Sequence, residues 1–280
     1  MTKSAIAPVA ATPSAKHPGT VKGSLQVGAE AIPLEFAVAQ MHDNAEKLLD
    51  RPRELRIVLA DREIPQDALS GIAFPPVMQM AREGKVKGLL LRLDPGNRKQ
   101  ISVTVLRPTP SAQISLLNQT LTARQDVFKT FETSGNRVTG EIEYRDKGTA
   151  PSDYPRISYS VRFVAPVFNE PAVTSDLKGK EAHDSPQARV LRERARALAK
   201  GDFSAAKKFS TERANRATDA YLARAGSSAQ NQAREAAADL ELSLKKLQRV
   251  VVRSDRAVVI FAGNEWINFA RVNGQWLLDD

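Results

Sequence analysis

The last 25 residues of the chain alternate between apolar runs and turn residues. The apolar runs are 258–262, 266–272 and 275–278, separated by Gly263-Asn264 and Asn273-Gly274. Asn-Gly between two apolar runs predicts a β-hairpin, because a type I′ turn requires positive φ at both central residues. The chain is therefore predicted to end in an antiparallel meander.

A helical pattern precedes this meander. Ser185 supplies an N-cap and Pro186 a first-turn proline, so a helix is predicted to begin at once and to run over 187–200. Its apolar stripe is formed by Leu191, Ala195 and Leu198. Further helices are predicted over 203–209, 212–225 and 229–247, followed by a strand at 249–253.

Short alternating runs separated by turn residues dominate 20–168. In 157–164, for example, every second residue is apolar, which is typical of a strand with one buried face. The exception is 65–83, where a short helical excursion around Pro75-Pro76 is predicted. Several short strands at this spacing indicate an antiparallel sandwich or open barrel.

Changes in composition divide the chain into four predicted segments. Residues 1–19 are rich in Ala, Pro, Ser and Thr, which predicts a disordered tether. A β-rich domain follows over 20–168, and the polar stretch 169–185 is predicted to be a linker. Residues 186–280 then form an α+β domain.

Composition limits the chemistry. The chain has 280 residues, enough for two domains, and no cysteine, so disulfides, thiol nucleophiles and Cys-ligated zinc are excluded. The three histidines, His17, His42 and His183, are far apart, and we expect neither a metal nor a cofactor. Glycine-rich phosphate loops and a Gly-x-Ser-x-Gly elbow are missing from the sequence, which does not favour an enzyme.

The beginning of the sequence leaves the compartment open. Residues 5–11 are too short and too interrupted by proline to form the apolar core of a signal peptide. The protein is then either cytoplasmic, or periplasmic or exported with its signal sequence absent from this chain. The predicted tether and the lack of cysteine favour the second alternative.

The chain has a net charge of +9, and several of its cations lie in the first predicted helix of the α+β domain. Its cations recur at helical spacing along one face: Arg189, Arg192, Arg196 and Lys200. Such a face would contact an acidic protein or an anionic envelope surface. Nucleic acid is not favoured, because no aromatic residues are interleaved with these cations. The alternative is a solvated face that contributes only to solubility.

Large aromatic residues form the second candidate site. They are Trp266, Phe269, Trp276 and Tyr221. They would either line a pocket for a small apolar molecule or fill the core between helices and sheet. Trp266 and Phe269 are an odd number of residues apart, so they are predicted to point to opposite faces of a strand. The nearby carboxylates Asp239, Glu241 and Glu265 are predicted to face water.

Two short motifs suggest a fold. The first helix ends in Ala-Lys-Gly-Asp at 199–202, and the meander ends in Val-Asn-Gly-Gln-Trp at 272–276. With the helices between them, these motifs resemble the nuclear transport factor-like (cystatin-like cone) superfamily, and most of all its small bacterial envelope members. The resemblance covers 186–280 and implies helices packed on a curved sheet. Enzymes of this superfamily use a carboxylate or His inside the cone, and no His follows His183 here.

The β-rich region before the linker resembles the N-terminal modules of exported bacterial proteins. Residues 140–167 are the part that carries this resemblance. We therefore predict an α+β protein, with an antiparallel β-sandwich-like domain followed by a cone-like domain. The predicted function is non-catalytic binding or scaffolding in the bacterial cell envelope, through the basic helix and an acidic partner. The alternative is a cone that binds a small apolar ligand or is weakly enzymatic. The sequence does not predict an oligomeric state.

Overall fold

The computed structural model describes residues 19–71, 75–96, 101–108, 120–123, 128–146 and 155–279. It shows a mixed α and β protein with one large curled sheet and a second sheet accompanied by helices. The predicted tether lies outside the described residues apart from Gly19. No helix in the described ranges has the length and apolar character needed to cross a membrane.

The chain separates into two compact units. The first is formed by the described parts of Met1–His42 and Arg53–Asn169, and the second by the described parts of Asp43–Pro52 and Glu170–Asp280. The segment Asp43–Pro52 therefore belongs with residues that follow it by more than a hundred positions.

Ten strands are described in the first unit. They are β1 (Gly19–Val27), β2 (Glu30–Pro33), β3 (Phe36–His42), β4 (Glu54–Ala60), β5 (Gly88–Leu93), β6 (Ile101–Leu106), β7 (Thr120–Ala123), β8 (Phe128–Ser134), β9 (Arg137–Arg145) and β10 (Ile157–Asn169). Strands β2 and β3 are separated by a short break, and Pro33 lies at the end of β2. Proline lacks the N–H that would continue the ladder.

These strands form one continuous sheet in the order β7-β6-β5-β4-β3-β1-β10-β9-β8, with β2 beside β1. Neighbours are antiparallel, except that β3 also pairs in parallel with β10. The sheet curls, so that side chains from both halves pack into one core, among them Leu25, Leu91, Ile142 and Phe163. Ile157, Tyr159 and Val161 of β10 alternate into this core, as their spacing predicts.

The other face of β3 to β6 is covered by the helical excursion predicted over 65–83. A short 3-10 helix (Gln66–Leu69) is followed by α1 (Pro76–Arg82). Val77 of α1 and Leu69 pack with Val58 and Leu90 of the sheet. With both faces covered, β4 is buried at every position.

A buried ionic cluster lies on β4 and β5. Glu54 and Arg56 are both 0% exposed, and Arg56 Nε donates to Glu54 Oε1 at 2.7 Å. Arg92 Nε donates to the same oxygen at 2.8 Å, and Arg56 Nη1 donates to the Leu69 carbonyl at 2.8 Å. Burial alone would raise the pKa of Glu54, but Arg56 and Arg92 outweigh it and hold the pKa below its ordinary value.

This lowered pKa predicts an acid-dependent loss of stability in the first unit. The folded unit binds fewer protons at Glu54 than the unfolded chain does, so its stabilising contribution is present above the unfolded pKa. That contribution is lost as the pH falls through the lower folded pKa. The free energy of opening at the β4 amides, obtained from hydrogen exchange after correction for the pH dependence of intrinsic exchange, should therefore fall below about pH 4.5, a dependence that Glu54→Gln should reduce. An identical pH slope in that variant would contradict the assignment.

The second unit contains five strands and five helices among its described residues. They are β11 (Ser175–Lys178), α2 (Lys180–His183), α3 (Pro186–Ala199), α4 (Phe203–Lys207), α5 (Glu212–Ala225), α6 (Ala229–Lys245), β12 (Leu247–Arg253), β13 (Arg256–Phe261), β14 (Trp266–Val272) and β15 (Gln275–Leu278). The five strands pair antiparallel in sequence order. The predicted meander is confirmed, and Asn273 and Gly274 have φ values of 50° and 80°.

Two of these elements lie within 169–185, which the sequence predicts to be a linker. β11 pairs with β12, and its one apolar residue, Leu177, lies opposite Val250 and packs against the core. A four-residue edge strand with one leucine among polar residues is too short to show the alternation of apolar and polar positions that identifies a strand in a sequence. Residues 175–178 are therefore part of the second sheet, and 180–183 form α2.

Helices α3 and α6 pack on one face of this sheet. Leu191 and Ala195 of α3 and Leu244 of α6 share a core with Phe261 and Phe269. The apolar stripe predicted for α3 is confirmed, since Leu191, Ala195 and Leu198 are all buried.

The segment Asp43–Pro52 contacts two arginines of β12. Arg249 Nη2 donates to the Ala45 carbonyl at 2.9 Å, and its Nε donates to Asp176 at 2.6 Å. Arg253, whose side chain is 8% exposed, donates from Nε to Glu46 at 2.8 Å and also bonds Asp43.

The Arg253 guanidinium has further partners in the same unit. Its Nη1 donates to the Pro171 carbonyl at 2.8 Å, and Glu170 lies 3.9 Å away. The side chains of Glu46 and Glu170 are only 3% and 4% exposed. Arg253 therefore places its positive charge beside two carboxylates that are almost fully buried.

Candidate functional site

The candidate site is built on α3. The Ser185 hydroxyl accepts a hydrogen bond from the Ala188 N–H at 3.1 Å, and Pro186 occupies the first turn, as predicted. The helix ends before Gly201, which has a φ of 71°. Because Leu191, Ala195 and Leu198 face inward, the cations at the other helical positions lie along the sides and the outer surface.

An open groove with a volume of about 390 Å³ lies between α3 and α6. It is lined by His183, Arg192, Arg196, Glu241, Leu244 and Lys245. The lining therefore contains three cations and one carboxylate. The buried Leu244 adds an apolar side chain to the wall of the groove. The groove has the charge preference expected of a surface that binds an acidic group.

The structure brings together two of the four cations that the sequence places on one face. Arg192 and Arg196 line the groove, whereas Arg189 and Lys200 are exposed on α3 and are not among its lining residues. Lys245 was missed, because it comes from α6, whose position beside α3 the sequence does not give. Its place directly after the buried Leu244 is the only local signal.

The two groove arginines already have partners within the protein. Arg192 Nη2 donates to the His183 carbonyl, and Arg196 Nη1 donates to Glu193 Oε1 at 2.7 Å. Both members of the Arg196–Glu193 pair are well exposed, at 64% and 43%. An exposed pair of this kind contributes about 0–1 kcal/mol, so Glu193 competes weakly with an incoming carboxylate.

The aromatic side chains predicted to line a ligand pocket do not face a common pocket. Phe269 is 2% exposed within the core, and Trp276 is half-buried against that core with Arg271 over its ring at 5.9 Å. Trp266 lies on the opposite face of β14, as its spacing from Phe269 predicts. The Tyr221 side chain lies outside the described residues.

The carboxylates near these aromatics are exposed. Asp239, Glu241 and Glu265 all face solvent, as predicted. Across the described part of the chain, no cluster of three or more His, Asp or Glu side chains has the arrangement of a metal site.

A second depression, of about 320 Å³, lies in the first unit on the polar face of β1, β9 and β10. Its side chains are mainly hydroxyls and an amide, including Ser24, Ser158 and Gln26. It carries one cation, Arg145, and one carboxylate, Glu143, and so has no charge preference. Of the two surfaces, the groove on α3 is the one whose described lining carries an excess of cations.

Comparison of the chain with protein-family models, with curated proteins and with solved structures gives no match. The resemblance to the nuclear transport factor-like superfamily and to exported β-rich modules therefore stays a prediction. The function of the protein has to be inferred from the residues of this chain.

Proposed function

We propose that this protein is a non-catalytic binding or scaffolding protein that captures an acidic segment of a partner protein on α3. The observation that carries the proposal is the groove between α3 and α6, where Arg192, Arg196 and Lys245 outnumber Glu241. Cations that converge from two helices attract a carboxylate more strongly than a single exposed cation does.

The shape of the groove favours a polypeptide over the other anionic partners. A recess between two helices admits a carboxylate side chain that cations from both helices can contact, whereas a flat anionic envelope surface would contact only the outermost cations. The described lining includes no Trp, Phe or Tyr that would enter a membrane or stack on bases. An acidic protein segment is the partner that these features fit best.

The apolar-ligand alternative has less support. Phe269 and Trp276 contribute to the core between helices and sheet, and Trp266 lies on the other face of β14. A pocket would require these side chains to leave that core.

The proposed shapes of the two units and the proposed location follow from the order of helices and strands and from the family resemblances of the sequence. We propose a cone-like form for the helices and sheet of 186–280, a sandwich-like form for the curled sheet of 20–168, and a location in the bacterial periplasm. The helix-then-meander order supports the first of these, and the predicted tether and absence of cysteine support the last.

The proposal predicts a salt-sensitive interaction with acidic peptides. A fluorescein-labelled deca-glutamate should bind the protein in an anisotropy titration, and its affinity should fall as NaCl rises. The triple variant Arg192→Gln, Arg196→Gln, Lys245→Gln should bind at least about tenfold more weakly, since each charge contributes about 0.5–1 kcal/mol.

A matched control removes three cations elsewhere in the same unit. Arg216→Gln, Arg234→Gln, Arg271→Gln lowers the net charge equally, and all three side chains are exposed outside the groove. Deca-glutamate should bind this control within about threefold of the wild type. Equal losses in the two triple variants would show attraction by net charge alone and would contradict the proposal.

A further inference from the structure

One cation of α3 differs from the exposed and groove-lining cations of the same helix. Arg194 is half-buried, its Nε is fully buried, and this nitrogen has no hydrogen-bond partner among the described residues. No described carboxylate forms an ion pair with it either. Burial lowers the pKa of this guanidinium below its ordinary value, as expected for a cation without a compensating charge.

Arg194 faces a narrow crevice between α3, α4 and α5. The walls are apolar and come from Leu198, Phe203 and Ala206. The volume of the crevice is about 10 Å³, which is room for roughly one oxygen atom. The crevice therefore admits a single oxygen atom of an acidic group and nothing larger.

The other polar groups of the crevice are already paired. Lys207 Nζ lies 2.5 Å from Asp219 Oδ1, and Asn215 Nδ2 donates to the Lys207 carbonyl at 3.0 Å. Thr218 donates to the Ala214 carbonyl, also at 3.0 Å. The unmet hydrogen-bonding capacity therefore belongs to Arg194, and a buried group of this kind requires a partner.

We infer that Arg194 anchors the acidic segment, and that one oxygen of an Asp or Glu carboxylate enters this crevice and accepts its hydrogen bond. The inference rests on the proposed function and names its anchoring residue. Arg194 has already lost much of its hydration in the free protein, so pairing costs it little further desolvation. Arg192 and Arg196, in contrast, must exchange existing partners.

The groove and the crevice lie on opposite flanks of α3, because Arg192 and Arg194 are about 200° apart around the helix. The exposed ridge between them carries Arg189 and Lys200. A helix is about 10–12 Å across, so an extended segment of about four or five residues spans both sites. Deca-glutamate is long enough to occupy them together.

The test compares three variants in the same anisotropy titration. Arg194→Met should weaken deca-glutamate binding about thirtyfold or more, and Arg194→Lys should be intermediate because it keeps the charge without the planar guanidinium. The free Arg194→Met protein should melt at the wild-type temperature or above it, because an uncompensated buried charge has been removed. A merely structural arginine would instead give a lower melting temperature and unchanged binding.

The outcomes separate the inference from the proposed function. If the groove triple variant loses binding while Arg194→Met retains it, Arg194 does not anchor the segment, and the inference fails while the proposed function stands. If the groove triple variant binds like the wild type, the proposed function fails. If the wild type does not bind deca-glutamate at all, both are wrong.

Discussion

Replacing Arg253 with Met should destabilise the second unit by about 3–5 kcal/mol. The guanidinium bonds Asp43, Glu46 and the Pro171 carbonyl. Without it, the carboxylates of Glu46 and Glu170, whose side chains are 3% and 4% exposed, lose their shared cation. Breaking a buried ion pair by removing one partner is costly, because the remaining charge is left uncompensated.

Tryptophan fluorescence during urea unfolding measures this effect selectively. The chain has two tryptophans, Trp266 and Trp276, and both belong to the second unit. Arg234→Met, an exposed change of the same type on α6, should shift the transition by no more than about 0.5 kcal/mol. A similar shift in the two variants would show that Arg253 does not hold Asp43–Pro52 in this unit.

Replacing Glu54 with Gln should destabilise the first unit by a similar amount, about 3–5 kcal/mol. Glu54 accepts hydrogen bonds from Arg56 and Arg92, and Arg56 is 0% exposed. The neutral amide keeps the size of the side chain but leaves the buried guanidinium of Arg56 without its carboxylate.

Native-state hydrogen exchange of the β4 amides measures this second effect, because both tryptophans lie outside the first unit. The matched control is Glu141→Gln, whose partner Arg162 is 74% exposed. An exposed pair contributes about 0–1 kcal/mol, so the control should change little. If exchange in Glu54→Gln resembled that of the control, the buried cluster would not stabilise the first unit.

Elements marked by local signals were predicted well from the sequence. Helix α5 begins after Thr211, whose hydroxyl accepts a hydrogen bond from the Ala214 N–H, and it ends at Gly226, as predicted. The closing meander follows from Asn273-Gly274, because few other residue pairs adopt positive φ at both positions. In these segments, the residues that determine the structure are neighbours in the chain.

Contacts between distant residues were not predictable in the same way. Arg253 and Glu46 are 207 positions apart, and an ion pair has no periodicity that a sequence pattern would show. The burial of Glu54 and Arg56 on β4 likewise depends on α1 and the 3-10 helix, which cover that face of the sheet.

The candidate site shows the same division. The four cations on α3 were found from helical spacing, whereas Lys245 depends on how α6 packs beside α3. Arg194 lies three residues after Leu191 and four before Leu198, which places it at the edge of the apolar stripe. That spacing indicates partial burial, but the crevice itself requires α4 and α5.

The central claim is that α3 and its flanks bind an acidic segment. Hydrogen exchange measured by mass spectrometry, with and without saturating deca-glutamate, tests this claim most directly. We predict slower exchange in peptides that cover Pro186–Ala199 and Ala229–Lys245, with no change in β9 and β10 of the first unit. Protection confined to the first unit, or no protection at α3 with the probe bound, would contradict the claim.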